Sequence, residues 1–197
     1  MSTARKFNPV SVDDYLHGEL TSTRKHEYVC GEVYAQAGGT NTHNRIASNV
    51  QGILFGQLRG KVCRVYNSDT KVRIQLDEGT RFFYPDALVI CESNPPTDTF
   101  QDHPVVIVEV LSASTRRLDL EEKRASYCLI PSLETYILLE QSEVAAIVFQ
   151  KNNEGQFERK IYVGSEQVIP MLVIESQLKL SEAYEAVEFV GVDESTE

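Results

Sequence analysis

The sequence is short of most features that declare a function outright. Its four cysteines (Cys30, Cys63, Cys91, Cys128) include no C-x-x-C pair, and its four histidines (His17, His26, His43, His103) show no H-x-H or H-x-x-x-H spacing. A structural zinc site needs closely spaced thiolate and imidazole ligands, so nothing here supports one. Three of the cysteines lie inside apolar segments and read as reduced core residues. No apolar run approaches the roughly 20 residues that cross a bilayer. The first ten residues, "MSTARKFNPV", lack the apolar centre of a secretory signal, which makes the cytoplasm the expected location. Internal repeats are absent, as are helix-turn-helix and zinc-finger signatures for reading bases. A positive net charge is missing too: the chain carries −10, which argues against a generic nucleic-acid binder.

What is present is an ordinary globular composition, 42% hydrophobic and 24% charged over 197 residues. That length fits a single domain, with its core at about residues 10–185 and an acidic tail, "GVDESTE", at 191–197. The charge is uneven. Residues 1–73 carry ten Lys and Arg against six Asp and Glu, so a basic surface from the N-terminal part stays compatible with phosphate contact. "SVDDYL" reads as a short helix capped by Ser11, and "HEYVCGEVYAQA" as two strands turning at Gly31. Apolar residues at 46, 50, 53/54 and 58, followed by Gly60, predict a long amphipathic helix. The strands "CRVYN", "DTKVRIQL" and "RFFYPDALVIC" come next, then a Pro-rich loop over 92–104. "STRRLDLEEKRASYCLI" predicts a helix capped by Ser114 or Thr115 and stopped by Pro131, followed by a buried strand, "ETYILLE". A hairpin over 144–163 and a short closing helix complete the order. The whole predicts an α/β (α+β) fold, a mixed sheet flanked by helices with an extra hairpin.

One stretch, "VVIVEVLSAST" at 105–115, carries the chemistry. It is apolar on both faces, as a covered strand is, except for Glu109. A carboxylate on a buried strand is unfavourable unless it is paired, hydrogen-bonded or bound to a metal. Alternation puts Glu109 on the face of Val105, Ile107 and Leu111. Asp86, after Pro85, likewise opens an apolar strand. Two such carboxylates on neighbouring strands can converge on Mg²⁺, a hard cation that takes oxygen ligands and keeps several waters. The backbone carbonyl of Val110 is then a plausible third protein ligand.

"YPD" followed by "VEVL" resembles the PD-(D/E)XK nuclease superfamily, with Leu111 where its motif normally has lysine. The longer string "EVLSASTRRLDLEEKRASY", with "HEYVCGEVY" and "THNRI" upstream and "ETYILLE" downstream, is similar to the Uma-two family of bacterial endonuclease-like proteins within that superfamily. The resemblance spans about residues 10–185. It implies a restriction-endonuclease-like core (helix, three strands, helix, strand), Mg²⁺ or Mn²⁺ as cofactor and DNA as substrate. It also implies that the motif lysine has moved from the strand to the next helix, where Lys123 lies between Leu120 and Tyr127 on the sheet-facing side. Asp86, Glu109 and Lys123 are then the catalytic set. His43, on the core side of the long helix, and Glu27, where the family is usually acidic, are accessory candidates for ligating metal or positioning water. Lys71 and Arg73 are expected to face solvent. Open sheet edges and the apolar hairpin lead us to expect a homodimer. Two alternatives stay open at this point. One is a catalytically silent nuclease-fold protein with a binding or regulatory role, and the other a structural module that pairs subunits.

Overall fold

The computed structural model describes residues 8–36 and 38–189. The acidic tail expected at 191–197 lies outside them. Helix α1 (Val12–Glu19) starts where Ser11 Oγ accepts the Asp14 amide, and it buries Tyr15. Strands β1 (His26–Val29) and β2 (Glu32–Ala35) form a hairpin whose two turn residues, Cys30 and Gly31, both have positive φ. Such turns match the right-handed twist of the flanking strands. At Gly31 a side chain is excluded as well, because a Cβ there would sit 2.4 Å from Pro9 Cβ. Helix α2 (Asn41–Leu58) buries Ile46, Val50, Leu54 and Leu58, one residue per turn, and its first turn is capped by Thr40 Oγ1, which accepts the His43 amide.

The strands that follow are β3 (Arg64–Asn67), β4 (Lys71–Leu76), β5 (Gly79–Phe83), β6 (Ala87–Ile90), β7 (Phe100–Gln101) and β8 (Pro104–Leu111). Helix α3, residues 116–127, comes next. After it run β9 (Thr135–Glu140), β10 (Ala145–Lys151), β11 (Phe157–Val163), β12 (Val168–Met171), β13 (Ser176–Lys179) and the short helix α4 (Leu180–Ala183). They build a five-stranded sheet in the order β2-β1-β5-β4-β7 and a six-stranded one in the order β11-β10-β9-β8-β6-β3. A two-stranded sheet, β12-β13, stands apart. In the larger sheet β8 and β9 are parallel neighbours joined through α3, and β6 pairs antiparallel with β8.

Alternation along β8 divides the core. Val106, Val108 and Val110 pack with α2, β12, β13 and α4 on one face of the larger sheet. Ile107 and Leu111 pack on the other face with Val72, Ile74 and Phe83 of the smaller sheet and with Tyr127, Ile130 and Leu133 from α3 and the turn after it. Glu109 belongs to this second face by the same alternation. Val105, expected on that face, packs instead toward α2, next to the register shift at Val89/Ile90. Helix α1 covers the outer face of the smaller sheet through Tyr15, Tyr28 and Phe82.

The structure departs from the sequence reading in several places. The stretch read as one strand, 81–91, is two: β5 ends at Phe83, the chain crosses between sheets through Tyr84-Pro85-Asp86, and β6 begins at Ala87. Proline lacks an amide donor, so a ladder cannot run through residue 85. Cys63 and Cys91, expected to be reduced, form a disulfide. They flank the paired ends Arg64 and Ile90 of adjacent antiparallel strands, a proximity that only the β3–β6 register creates. Lys71, expected in solvent, is 5% exposed beside the Tyr84 ring, and Arg73 forms a two-pronged pair with Asp102 at 2.8 Å. Thr115 is the N-cap of α3, one of the two residues expected there, but its side chain makes no capping hydrogen bond. Ser112 closes the turn before it, its Oγ accepting the Thr115 amide and its carbonyl the Arg116 amide.

Candidate active site

Helix α3 is not regular. Its first turn (Arg116–Leu118) and last turn (Arg124–Tyr127) are α-helical, but Asp119–Lys123 between them forms a wider π turn. Such turns re-aim side chains and recur at functional sites. Here the π turn directs both Asp119 (2% exposed) and Lys123 (4% exposed) inward, onto the face of β8 that carries Glu109.

The Lys123 ammonium lies 2.9 Å from Glu27 Oε1, 3.2 Å from Glu109 Oε1 and 3.3 Å from Asp119 Oδ1. Glu27 reaches it from β1 of the smaller sheet, so the cluster ties both sheets and α3 together. Tyr127 donates its hydroxyl to the same Glu109 oxygen at 3.3 Å. All these side chains are buried. Only the Glu109 contact has hydrogen-bond geometry; Glu27 Oε1 and Asp119 Oδ1 are close to the ammonium yet remain buried without a hydrogen bond. Three carboxylates therefore share one ammonium.

A second pair stands beside this cluster. Asp86, at the crossing between the sheets, accepts the Val110 amide on Oδ2 at 2.7 Å, and its Oδ1 lies 2.9 Å from His43 Nε2 on α2. The Val110 amide follows Glu109 directly, so it fixes the second carboxylate next to the first. Gln51 Nε2, two turns further along α2, donates to the Asp86 carbonyl at 2.8 Å and holds the crossing segment. Of the residues singled out in the sequence, Glu27 and Glu109 both contact Lys123. Asp86 and His43 pair with each other and reach the group through Val110, whose amide rather than its carbonyl makes the contact seen here.

The electrostatics follow from burial and crowding. Burial raises the Glu109 carboxyl well above the usual range; Lys123 opposes the rise, while Asp119, Asp86 and Glu27 add to it. Burial works against the charged form of Lys123, but Glu109, Glu27 and Asp119 together outweigh it and hold the ammonium protonated well above its ordinary value. His43 is pulled the same two ways: burial disfavours the imidazolium, and the hydrogen bond and charge of Asp86 raise it overall.

The donor set fits a hard divalent cation of the Mg²⁺ class. Asp86 is held against the Val110 amide next to Glu109, and its charge is among the causes that raise the Glu109 carboxyl. Among the described residues Glu109 Oε2 has no hydrogen-bond partner. No group of three or more His, Cys, Asp or Glu side chains forms a ready cage among those residues. Mg²⁺ does not need such a cage, since it is held by one or two carboxylates plus waters and substrate oxygens.

Asp119 and Tyr127 are the site residues that the sequence reading missed. Asp119 belongs to "DLEEKR", a run of charged residues of the kind that normally faces water. Its spacing of four from Lys123 is the signal that could have found it, since residues four apart share a helix face.

The two-sheet fold, with a buried carboxylate–lysine group on a central strand and the following helix, defines a restriction-endonuclease-like protein. The chain belongs to the Uma2 family, described as "Putative restriction endonuclease", whose model matches residues 12–183. An uncharacterized protein of Synechocystis, slr1290, is 32% identical over 168 residues, covering 85% of this chain and 87% of the relative. A second Synechocystis protein, sll1609, also uncharacterized, is 33% identical over 147 residues, covering 73% and 82%. Among solved structures, a "putative nuclease belonging to DUF820" from Anabaena variabilis superposes with a TM-score of 0.70 over 89% of this chain and 98% of its own. At 17% identity that likeness is one of fold. No helix among the described residues is long and apolar enough to cross a membrane.

Proposed function

We propose that this chain is a metal-dependent endonuclease that hydrolyses phosphodiester bonds in DNA. The observation that carries the reading is the excess of carboxylate around one buried ammonium, on strands and a helix that belong to a nuclease-like family. In this reading Asp86 and Glu109 hold Mg²⁺ or Mn²⁺, with the Val110 carbonyl as a third protein ligand. Such an ion polarises a phosphoryl oxygen and makes a bound water acidic.

The chain's own groups supply the rest. Lys123, kept cationic by Glu27 and Asp119, presents a fixed positive charge to the oxygens that gain negative charge at the phosphorus. Because its carboxylate neighbours are already in place, little reorganisation accompanies the reaction. Tyr127 and Lys123 orient Glu109, while His43 and the Val110 amide orient Asp86. This positioning matters because a shift of about 1 Å can lower a rate roughly a hundredfold. A homodimer, with one such centre per subunit, would let both strands be cut; light scattering of the purified protein checks it.

The test is cleavage of supercoiled plasmid by purified protein with Mg²⁺ or Mn²⁺. Nicking that needs the metal and disappears in Asp86→Ala supports the reading. Metal-independent nicking, or nicking that persists in Asp86→Ala, refutes it. Stable DNA binding without nicking favours the silent, regulatory alternative.

A further inference from the structure

The parallel strands β8 and β9 end at a cavity of about 330 Å³, lined by Leu111, Ser112, Arg116, Glu140, Gln141 and, from the start of α2, Thr42. Ligands of open sheets with parallel strands characteristically bind outside the carboxyl ends of those strands. The cavity adjoins the carboxylate site on two sides. Leu111 is two residues beyond Glu109 on β8, about 7 Å along the strand. Thr42 immediately precedes His43, the partner of Asp86.

Its polar groups are mixed in a way that narrows the occupant. Arg116 is anchored through Nη1 to Glu140, whose side chain is 10% exposed, while the arginine side chain stays 46% exposed. A guanidinium has five N–H donors, so donors remain after this pairing. Gln141 Oε1 is buried and has no hydrogen-bond partner, an acceptor that lacks a donor. The hydroxyl of Ser142, at the rim, adds a group that can both donate and accept. A bare anion would use Arg116 but leave the Gln141 oxygen unmet. A ligand with phosphate oxygens at one end and N–H donors at the other satisfies both, and that is the chemistry of a nucleotide. The volume agrees, since pockets for small ligands begin at roughly 300 Å³.

We infer that this cavity receives one unstacked nucleotide of the substrate strand, next to the bond to be cut, with its phosphate on Arg116 and its base edge at Gln141. The inference rests on the nuclease reading and adds a substrate preference: DNA with an unpaired nucleotide at the cut should be favoured over continuous duplex, because an unpaired base enters a pocket without first being unstacked.

The experiment has two arms. In the first, a deoxynucleoside 5′-monophosphate is titrated into the ¹⁵N-labelled protein. Saturable amide shifts at Ser112, Gln141 and Ser142 are expected. They should be lost in Ser142→Trp, which fills the rim from an exposed turn, and weakened at least fivefold in Gln141→Leu. Equal shifts and affinity with inorganic phosphate would overturn the nucleotide assignment in favour of a simple anion site, and no saturable shift would overturn it altogether. In the second arm, Mn²⁺-supported cleavage of an oligonucleotide duplex with one unpaired nucleotide at the cut is compared with the fully paired duplex. At least a tenfold preference in the wild type, lost in Ser142→Trp, supports the inference; no preference, or one that survives the substitution, overturns it. The two failures are distinguishable. A protein that binds the nucleotide but never cleaves contradicts the nuclease reading alone, and one that cleaves without seating the nucleotide contradicts the cavity assignment alone.

Discussion

Replacing Lys123 by methionine should show how the buried cluster is balanced. The side chain is 6% exposed and lies within 3.3 Å of three carboxylates that are themselves buried. Methionine matches its length and fills the space without charge, so packing changes little. What changes is that Glu27, Glu109 and Asp119 lose their common cation. Removing one partner of a buried pair typically destabilises a protein by about 3–5 kcal/mol, because a buried charge is left uncompensated. For a chain of this size that corresponds to a fall in Tm of roughly 6–20 °C. The assay is urea unfolding near pH 7.5, with the midpoint read at constant slope.

A second substitution makes the test sharper. In the wild type, Glu109→Gln removes a partner of Lys123 and should destabilise. In the Lys123→Met background the same change removes one of several crowded negative charges and should stabilise. This reversal of sign is the signature of coupled charges in a double-mutant cycle. Additive effects, or a loss below about 1 kcal/mol for Lys123→Met, would refute the charge balance described here.

Two further outcomes follow from the fold. Reducing the Cys63–Cys91 bond, which closes a sequence separation of 28 residues, should lower stability by roughly 3–4 kcal/mol, seen as a lower Tm in dithiothreitol that Cys63→Ser abolishes. Asp102 gives a pH dependence: burial disfavours its charge, but Arg73 and Asn94 outweigh burial and hold its carboxyl below the usual value. Because the folded-state value is depressed, this stabilisation is present above the ordinary carboxylate range near pH 4 and is lost as the pH falls through the lower, folded value. Arg73→Met should therefore flatten the decline in urea midpoint between about pH 4 and pH 2.

Local patterns were legible in the sequence; crossings and registers were not. Helix α2 could be read from Ile46, Val50, Leu54 and Leu58 because a regular helix repeats its buried face. Glu109 could be assigned a face because β8 is uninterrupted, and Lys123 because Leu120 and Tyr127 flank it at helical spacing. Asp119 was hidden because it sits in a run of charged residues, and such runs normally face water. The division into two sheets at Pro85 follows from one missing amide, which signals a break but not where the next strand pairs. Neither the disulfide nor the burial of Lys71 could be read, since each depends on which strand lies alongside. Lys71 meets the Tyr84 ring only because β4 pairs with β5 in the register that sets Val72 opposite Phe83.

The account turns on Asp86 and Glu109 together holding a divalent cation, and calorimetric titration of Mn²⁺ into the wild type, Asp86→Ala and Glu109→Gln tests that most directly. One saturable binding event in the wild type, weakened at least tenfold in each variant, is the predicted result. No saturable binding in the wild type, or undiminished affinity in both variants, would contradict it.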